Sequence, residues 1–366
     1  MDLRTLSVVG ARPNFVKMAP VLAELRRTIP NGHHVLVHSG QHYDRMMSEI
    51  FFEELGVPAP DHSLDVGSGT HSVQTARIME RLEPVLDRER PDLVIVSGDV
   101  NSTMAAALVA AKANVPIAHV ESGLRSFDRT MPEEINRVVA DALSRHLFVH
   151  SESAIANLSA EGITGERVAF VGNTMIDSLV AVEPRFRAAS AARALGLNAG
   201  GYLLVTLHRP ALVDGPLLTE VIGRLGAVAR ELPVLFPVHP RTRKMLESLE
   251  VDPAITLTEP VGYLDFLSLQ ADAGAVLTDS GGVQEETTYL GVPCFTLRDT
   301  TERPVTIDVG TNHLLGLDPP RIAEILPALD GFQRPAGPPP LWDGQAAERA
   351  VAVLALEPAA MPEEGQ

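Results

Sequence analysis

The stretch that decides the fold is LVIVSGDVNSTMAAALVAAKANVPIAHVESG, residues 93–123. It contains a short apolar run at Leu93–Ser97, a segment with helical periodicity at Ser102–Ala113 and a second apolar run at Ile117–Val120. Continuous apolar strands that alternate with helices are typical of a parallel sheet covered on both faces, with right-handed crossovers. The stretch therefore predicts an α/β fold with a parallel sheet.

The same alternation extends from this stretch in both directions. In the first half, the further apolar runs are Leu6–Val9, Val35–His38, Leu147–Val149 and Val168–Val171, with helical periods at Phe15–Arg27, Ser72–Arg88 and Glu133–Leu143. The pattern restarts with apolar runs at Leu203–Thr206, Val234–Phe236, Ile255–Leu257, Ala275–Leu277 and Cys294–Leu297, and with helical periods at Leu217–Arg230, Thr242–Leu249, Leu264–Ala271 and Val283–Leu290. Ala188–Gly201, rich in alanine and glycine, has the composition of a linker.

Two doubly wound parallel-sheet domains are therefore predicted. We place the first domain at residues 1–175, the second at residues 176–343, and a final amphipathic helix with a frayed tail at residues 344–366. Ligands of doubly wound sheets bind outside the carboxyl ends of the strands. With two such domains, the natural site is a central cleft between them. Catalytic and ligand-binding residues should therefore directly follow predicted strands.

The composition excludes several classes of protein. The 366 residues include 30 Lys and Arg against 47 Asp and Glu, a net charge of −17 that argues against a nucleic-acid partner. The one cysteine, Cys294, excludes a disulfide framework and a cysteine-built zinc site. The chain lacks a run of about 18 uncharged apolar residues, and its start lacks the apolar segment of a signal peptide. We therefore expect no membrane association and a cytoplasmic location.

The segment GARPNFVKMAP, residues 10–20, follows the first predicted strand and indicates an anion site. Gly10 permits a tight turn, and Arg12 and Lys17 bracket the start of a helix. A helix N-terminus with two cations attracts an anion, although a loop with solvated charges is the alternative. The segment has neither the GxxxxGK pattern of a P-loop nor the GxGxxG pattern of dinucleotide-binding proteins, so no nicotinamide cofactor is predicted.

Carboxylates follow two successive strands in the first half of the chain. Asp99 lies in GDVNST and Glu121 in HVESGLRS, each just after an apolar run. Glu133 begins a helix in MPEEINR, one turn before Arg137, and its neighbour Glu134 is interpreted as an acid favoured by the helix dipole. Three carboxylates at one site would repel one another and so retain a proton near neutral pH, as acid–base catalysis requires. Arg137 would balance their charge.

The second half offers cations and a glycine-rich loop. His208 follows a strand in TLHRP, where it could contact a phosphate. The residues SGG at 280–282 precede a helix, and backbone N–H groups at such a position can bind a diphosphate. Glu286 lies one to two turns along that helix, where it could accept from ribose hydroxyls, and Arg303 follows the last predicted strand. The HExxH spacing of a histidine-bound metal is absent, so no metal centre is predicted.

Taken in order, these segments resemble the non-hydrolysing UDP-N-acetylglucosamine 2-epimerases over residues 5–320. The resemblance rests on the ordered set GARPNFVKMAP, SGQHYDRMM, GDVNSTMAAALVAAK, HVESGLRS, MPEEINR, TLHRP and DSGGVQEETTYLGVPCFTLRDTTERP. It implies the GT-B fold, with two Rossmann-like domains facing a central cleft, and interconversion of UDP-N-acetylglucosamine and UDP-N-acetylmannosamine. The implied route eliminates UDP to give 2-acetamidoglucal and then adds UDP back, without a metal or any other cofactor.

The resemblance also implies roles for individual residues. The implied catalytic residues are Asp99, Glu121, Glu133, Arg137 and His208, and the implied UDP-binding residues are Arg12, Lys17, Phe266, Ser280, Gly281, Gly282, Glu286 and Arg303. Some bacterial members bind a second substrate molecule as an activator through an Arg-Gln pair. Thr70 and His71 stand at that place here, with Gln41 and His42 also near the implied regulatory site. We therefore expect weak or absent substrate activation.

Four other functions remain open on the sequence alone. The chain could be an epimerase of the same type for a modified UDP sugar such as a diacetamido uronic acid, or a hydrolysing relative that releases free sugar and UDP. It could also be a GT-B glycosyltransferase, because a fold does not decide the reaction. A non-catalytic nucleotide-sugar sensor is the last alternative, and the presence of every implied catalytic residue counts against it. The resemblance further implies a homodimer that serves cell-surface polysaccharide synthesis.

Overall fold

The computed structural model describes residues 3–10, 12–40 and 54–356, leaving aside the side chains of residues 12 and 13. The chain divides into two compact units. The first unit runs to Val180 and resumes at Pro340, and the second spans Ala181–Pro339. The last helix, Ala346–Leu356, therefore belongs to the first unit, where it lies against the helix Arg12–Thr28.

A parallel sheet of seven strands forms the centre of the first unit, in the order β3-β2-β1-β4-β5-β6-β7. The strands are β1 (Arg4–Val9), β2 (His33–His38), β3 (His62–Ser63), β4 (Leu93–Ser97), β5 (Ile117–Val120), β6 (His146–Val149) and β7 (Val168–Phe170). Among the described residues, the helices that begin in this unit are Arg12–Thr28, His71–Glu89, Asn101–Lys112, Pro132–Leu143, Glu152–Ala160, Thr174–Ala189 and Ala346–Leu356. Buried apolar clusters cover both faces of the sheet, which is why its strands are continuous apolar runs.

A second parallel sheet, of six strands, forms the centre of the other unit in the order β10-β9-β8-β11-β12-β13. The strands are β8 (Leu203–Thr206), β9 (Val234–Pro237), β10 (Ile255–Thr258), β11 (Ala275–Thr278), β12 (Cys294–Thr296) and β13 (Asn312–Leu314). The helices are Ala191–Ala194, Pro210–Val213, Leu217–Val228, Pro240–Leu246, Tyr263–Asp272, Gly281–Leu290, Val305–Asp308 and Ile325–Asp330. Both sheets have the strand order of a Rossmann fold. The prediction of two doubly wound, Rossmann-like parallel sheets is confirmed.

Two edge strands were not predicted from the sequence. β3 has only two residues, His62 and Ser63, and β13 has three, Asn312–Leu314. Such strands are too short and too polar to produce an apolar run, so hydrophobic patterning does not detect them. Among the described residues, no helix combines the length and the apolar character that crossing a bilayer requires.

The prediction of a linker at Ala188–Gly201 is wrong. The division between the units falls inside the helix Thr174–Ala189, and the stretch that follows belongs to the second unit. There Ala191 N donates to Ser268 Oγ at 3.1 Å. Alanine is the strongest helix former, so an alanine-rich stretch does not distinguish a linker from a helix.

A buried carboxylate attaches the last helix to the first unit. Asp177 accepts hydrogen bonds from Ala346 N at 3.1 Å and from Ala347 N at 2.7 Å, in the first turn of that helix. Burial raises the pKa of Asp177 to about 6, because loss of solvent outweighs the opposing effect of the two hydrogen bonds.

The raised pKa of Asp177 predicts that stability depends on pH. Between the ordinary aspartate pKa of about 4 and the folded value of about 6, the folded protein keeps a proton that the unfolded chain releases. The free energy of unfolding therefore falls as pH rises through this window, by at most about 3 kcal/mol. In urea denaturation, the parent value minus the Asp177→Asn value should decrease between about pH 4 and about pH 7. A difference that is independent of pH would contradict this assignment.

Candidate active site

The loops that carry Asp99 and Glu121 lie side by side in the first unit. β4 and β5 pair in parallel with Ser97 opposite Val120, and Gly98 N donates to Val120 O at 3.0 Å. Because parallel strands end at the same edge of a sheet, the two carboxylates follow neighbouring strand ends. The structure thus brings together two of the residues that the sequence singled out.

Arg137 forms ion pairs with two carboxylates. Its guanidinium contacts Asp99 Oδ2, and its Nη1 donates to Glu134 Oε2 at 3.1 Å. Glu133 is half-buried one turn before Arg137 on the same helix. Asn136, which the sequence analysis did not consider, donates from Nδ2 to the Asp99 carbonyl at 2.8 Å. This helix therefore positions both the side chain and the backbone of Asp99.

The interpretation of Glu134 as a simple first-turn acid is incomplete. Glu134 is only 1% exposed, and Oε2 accepts from Ser126 N at 2.8 Å while Oε1 accepts from Phe127 N at 3.0 Å. Its carboxylate thus binds the backbone of the segment that leads from Glu121 to Glu133. The sequence shows no sign of this because hydrogen bonds to a loop backbone leave no residue pattern.

Glu121 combines an ion pair with an unusual backbone conformation. Lys17 Nζ pairs with Glu121 Oε2, and the two residues are 4% and 6% exposed. The resemblance implied a phosphate contact for Lys17, and nothing in the sequence pointed to this pairing. Glu121 has a φ of 64°, in the left-handed region, which costs a non-glycine residue about 1–2 kcal/mol. Such strain persists only where surrounding contacts enforce it, and it is concentrated at functional sites.

Gly98 leaves room for the Lys17 side chain. Its φ is 63°, and a Cβ atom built there would lie 2.9 Å from Lys17 Nζ. Any larger residue would therefore displace the ammonium group that pairs with Glu121.

Each of the two carboxylates, Glu121 and Asp99, has its own cation, because Asp99 pairs with Arg137 as Glu121 pairs with Lys17. These ion pairs offset the mutual repulsion of the carboxylates that was expected from the sequence.

In the second unit, Asp279 organises the loop that carries His208. Asp279 Oδ2 accepts from His208 N at 2.8 Å and from Arg209 N at 2.7 Å, and Oδ1 lies 3.0 Å from His208 Nδ1. Burial alone would raise the pKa of Asp279, but the His208 ring and the two N–H groups outweigh it and hold the pKa below its usual range. Asp279 was not among the predicted residues, although the DSGG motif contains it.

Arg303 lies at the N-terminus of the helix Gly281–Leu290. A Cβ atom at Gly281 would lie 2.6 Å from Arg303 Nη1, so only glycine allows this approach. Arg303 is 5% exposed and is oriented by Glu285, 3.1 Å from Nε, and by Glu302, 3.2 Å from Nη1. A helix N-terminus beside a guanidinium is a site for an anionic group. Ser280 is the N-cap of this helix and Gly282 its second residue.

Glu286 lies on the helix Gly281–Leu290 and contacts the helix Tyr263–Asp272. It accepts from Tyr263 Oη at 3.1 Å and from Gln270 Nε2 at 2.7 Å. Phe266 is half-buried and lies three residues after Tyr263, so the two rings share a helix face. Two of the residues implied in nucleoside binding, Glu286 and Phe266, therefore belong to one part of the second unit.

The remaining implied residues lie near the N-termini of the first unit's helices or outside the described residues. The Arg12 side chain, Gln41 and His42 lie outside the described residues. His71 begins the helix His71–Glu89, and its Nδ1 lies 3.2 Å from Asn101 Oδ1. Thr70 is the N-cap of that helix.

Comparisons with known proteins give one consistent result. A family model described as UDP-N-acetylglucosamine 2-epimerase matches residues 24–355. The UDP-N-acetylglucosamine 2-epimerase of Methanocaldococcus jannaschii is 41% identical over 360 residues, which is 95% of this chain and 97% of that protein. A crystal structure of the enzyme from that organism, in complex with UDP-GlcNAc and UDP, matches with a TM-score of 0.87 at 40% identity, covering 97% of this chain and all of that one.

A relative named for a different substrate is similar to this chain to nearly the same degree. The UDP-2,3-diacetamido-2,3-dideoxy-D-glucuronate 2-epimerase of Pseudomonas aeruginosa is 43% identical over 321 residues, covering 86% of this chain and 88% of that protein. Sequence identity therefore does not separate these two sugar substrates.

Proposed function

The chain belongs to the UDP-N-acetylglucosamine 2-epimerase family, and on this premise we propose that it interconverts UDP-N-acetylglucosamine and UDP-N-acetylmannosamine. The observation that carries the proposal is the pairing of Glu121 with Lys17 beside the Asp99–Arg137 pair, at neighbouring strand ends. Two buried or half-buried carboxylates, each with a cation, suit a reaction that moves a proton at a sugar carbon.

The chemistry explains why the reaction needs an anion site as well as carboxylates. The hydrogen on carbon 2 is hardly acidic, because no carbonyl group is attached directly to that carbon. It is lost as the anomeric C–O bond breaks: a carboxylate takes the proton, the C–H electron pair forms the C1=C2 double bond, and UDP departs with the C–O pair. Fixed donors stabilise the charge that develops on the diphosphate, each by about 3 kcal/mol. We assign this role to Arg303, the residues Ser280, Gly281 and Gly282, and His208.

Epimerisation also requires a proton on the opposite face of the sugar. The second step re-forms the C1–O bond from UDP and delivers a proton to the other face of carbon 2. One carboxylate held on one side cannot serve both faces, so the proposal assigns acid–base roles to Asp99, Glu121 and Glu133 together. Arg137 supports Asp99, while Lys17, Arg12, Phe266 and Glu286 complete the proposed contacts to UDP.

Incubation with UDP-N-acetylglucosamine in deuterated water tests the proposal. No acceptor substrate is added. Epimerisation then predicts deuterium at carbon 2 and a mixture of two nucleotide sugars. Free sugar and UDP would instead indicate a hydrolysing enzyme. Absence of exchange would contradict the proposal and favour a transferase or a nucleotide-sugar sensor.

The second candidate is an epimerase for a UDP-diacetamido uronic acid, which the similarity to the Pseudomonas aeruginosa enzyme favours. The same exchange measurement with both sugars decides between them. The substrate with the higher kcat/KM is the one for which the site is built, because this ratio reports transition-state binding.

The proposal extends to assembly, location and regulation. We propose a cytoplasmic homodimer that supplies a precursor of cell-surface polysaccharide and needs no metal or other cofactor. Two exposed apolar residues, Ile135 and Leu143, lie on the helix Pro132–Leu143, and sedimentation would measure whether the chain self-associates. Thr70 and His71 in place of an Arg-Gln pair support weak or absent substrate activation. A sigmoidal dependence of rate on substrate that Thr70→Arg leaves unchanged would contradict it.

A further inference from the structure

A buried carboxylate contacts the turn that carries Glu121. Asp141 is fully buried, and its Oδ2 accepts from Gly123 N at 3.1 Å and from Arg125 Nη1 at 2.7 Å. Its Oδ1 lies 2.7 Å from His119 Nδ1. Asp141 therefore binds the chain two residues before Glu121 and two residues after it.

His119 extends this contact to the loop of Asp99. Its Nε2 lies 2.8 Å from the carbonyl oxygen of Gly98, the residue before Asp99. Both ring nitrogens therefore face an oxygen atom, one of the Asp141 carboxylate and one of the Gly98 carbonyl group. A single buried ring thus connects Asp141 with both carboxylate loops.

Arg125 links Asp141 to a second carboxylate. Arg125 also pairs with both oxygens of Glu161, from Nε and Nη2, each at 2.7 Å. Arg125 therefore pairs with two carboxylates, Asp141 and Glu161. Burial alone would raise the pKa of Asp141, but His119 and Arg125 outweigh it and hold the pKa below its usual range. Asp141 is consequently ionised at neutral pH and accepts from all three of its partners.

Asp141 shares a helix face with residues of the candidate site. In the helix Pro132–Leu143, Glu133, Arg137 and Asp141 are spaced four residues apart, which places them on one face. Arg137 contacts Asp99, and Asp141 contacts the turn of Glu121. One helix face therefore contacts both carboxylate loops.

We propose that Asp141, through His119 and Gly123, is a positioning residue that holds Glu121 in its left-handed conformation and aligns it with Asp99. The effect on catalysis rests on the proposed function, whereas the effect on the backbone does not. The left-handed φ of Glu121 is unfavourable, so the turn relaxes when these contacts are removed. A displacement of about 1 Å in a catalytic group lowers the rate about 100-fold.

Asp141→Asn is the first test. The amide keeps the shape of the side chain but has one acceptor oxygen where Gly123, Arg125 and His119 use two. We expect kcat to fall about 100-fold, with KM for UDP-N-acetylglucosamine and Kd for UDP changed by less than about threefold. Loss of general structure would instead move all three quantities.

Hydrogen exchange tests the positioning without using activity. The amides of residues 119–126 should exchange faster in Asp141→Asn than in the parent. His119→Gln is the second variant, which provides the test if Asp141→Asn fails to fold. It should also lower kcat and accelerate amide exchange at residues 119–126. Asp92→Asn is the matched control, because Asp92 also accepts a backbone hydrogen bond, from Arg4 N at 2.9 Å, but at the amino end of the strands. It should leave kcat and exchange unchanged.

Two results would overturn the positioning role. One is parental exchange at residues 119–126 in the folded variants, and the other is a kcat within about threefold of the parent. A parent that does not act on the UDP sugar would contradict the proposed function separately. In that case, faster exchange in Asp141→Asn would still support the role of Asp141 in holding the turn.

Discussion

Glu121→Gln is expected to lower hydrogen exchange at carbon 2 of UDP-N-acetylglucosamine about 1,000-fold. Glutamine keeps the volume of the side chain but can neither take up nor deliver a proton at the sugar. The backbone conformation and the ion pair with Lys17 hold this carboxylate in one orientation. Asp99 does not replace it, because one carboxylate held on one side cannot serve both faces of the sugar. Nuclear magnetic resonance of the substrate in deuterated water measures the exchange rate.

Glu24→Gln is the matched control for this substitution. Glu24 is also an ion-paired carboxylate, bound to Arg27 on the helix that carries Lys17, so its loss tests for a general effect of removing a charge. The control should exchange within about twofold of the parent. Folded Glu121→Gln should keep its affinity for UDP in calorimetry. Exchange near the parental rate would exclude Glu121 as an acid–base group. Loss of both exchange and UDP binding would instead indicate unfolding around an unpaired Lys17.

Arg303→Met is expected to weaken UDP binding about 100-fold. The guanidinium lies against the N-terminus of the helix Gly281–Leu290, so its removal leaves the helix dipole as the weaker attraction for a diphosphate. Calorimetry at low and high salt measures the effect. The dependence of Kd on salt should also decrease, because one charge contact is lost.

Arg321→Met controls for the loss of a positive charge from the second unit. Arg321 pairs with the exposed Glu324 and should leave Kd unchanged. Arg303→Lys should bind UDP with intermediate affinity, because lysine keeps the charge but lacks the planar fork of donors. The unfolding midpoint of each variant needs to be measured first, since Arg303 also pairs with Glu285 and Glu302. A Kd within about threefold of the parent in folded Arg303→Met would refute the assignment.

The fold was predictable where the burial of strands and helices requires a hydrophobic pattern in the sequence. The interval Leu93–Val120 reads as strand, helix and strand, because strands covered on both faces must be apolar throughout. The edge strands β3 and β13 lacked that requirement and produced no pattern. The order of strands within each sheet was also not predicted, because it depends on which crossovers pack together.

The candidate site was predictable one residue at a time but not as a set of contacts. Asp99 and Glu121 were found because each directly follows an apolar run. Nothing indicated that Glu121 has a positive φ, since glutamate rarely adopts one. The role of Asp141 had one sequence signal, its four-residue spacing from Arg137, which becomes meaningful only when the partners of that helix face are known.

The sequence by itself determined the alternation of strands and helices, the restart that makes two sheets, and the placement of carboxylates after strands. These features follow from local hydrophobic periodicity and from the connectivity of the chain. Only the tertiary structure decided which groups meet: Lys17 with Glu121, Asp279 with His208, and Asp141 with His119. Each pair joins residues far apart in the chain, and packing rather than local spacing sets the distance between their atoms.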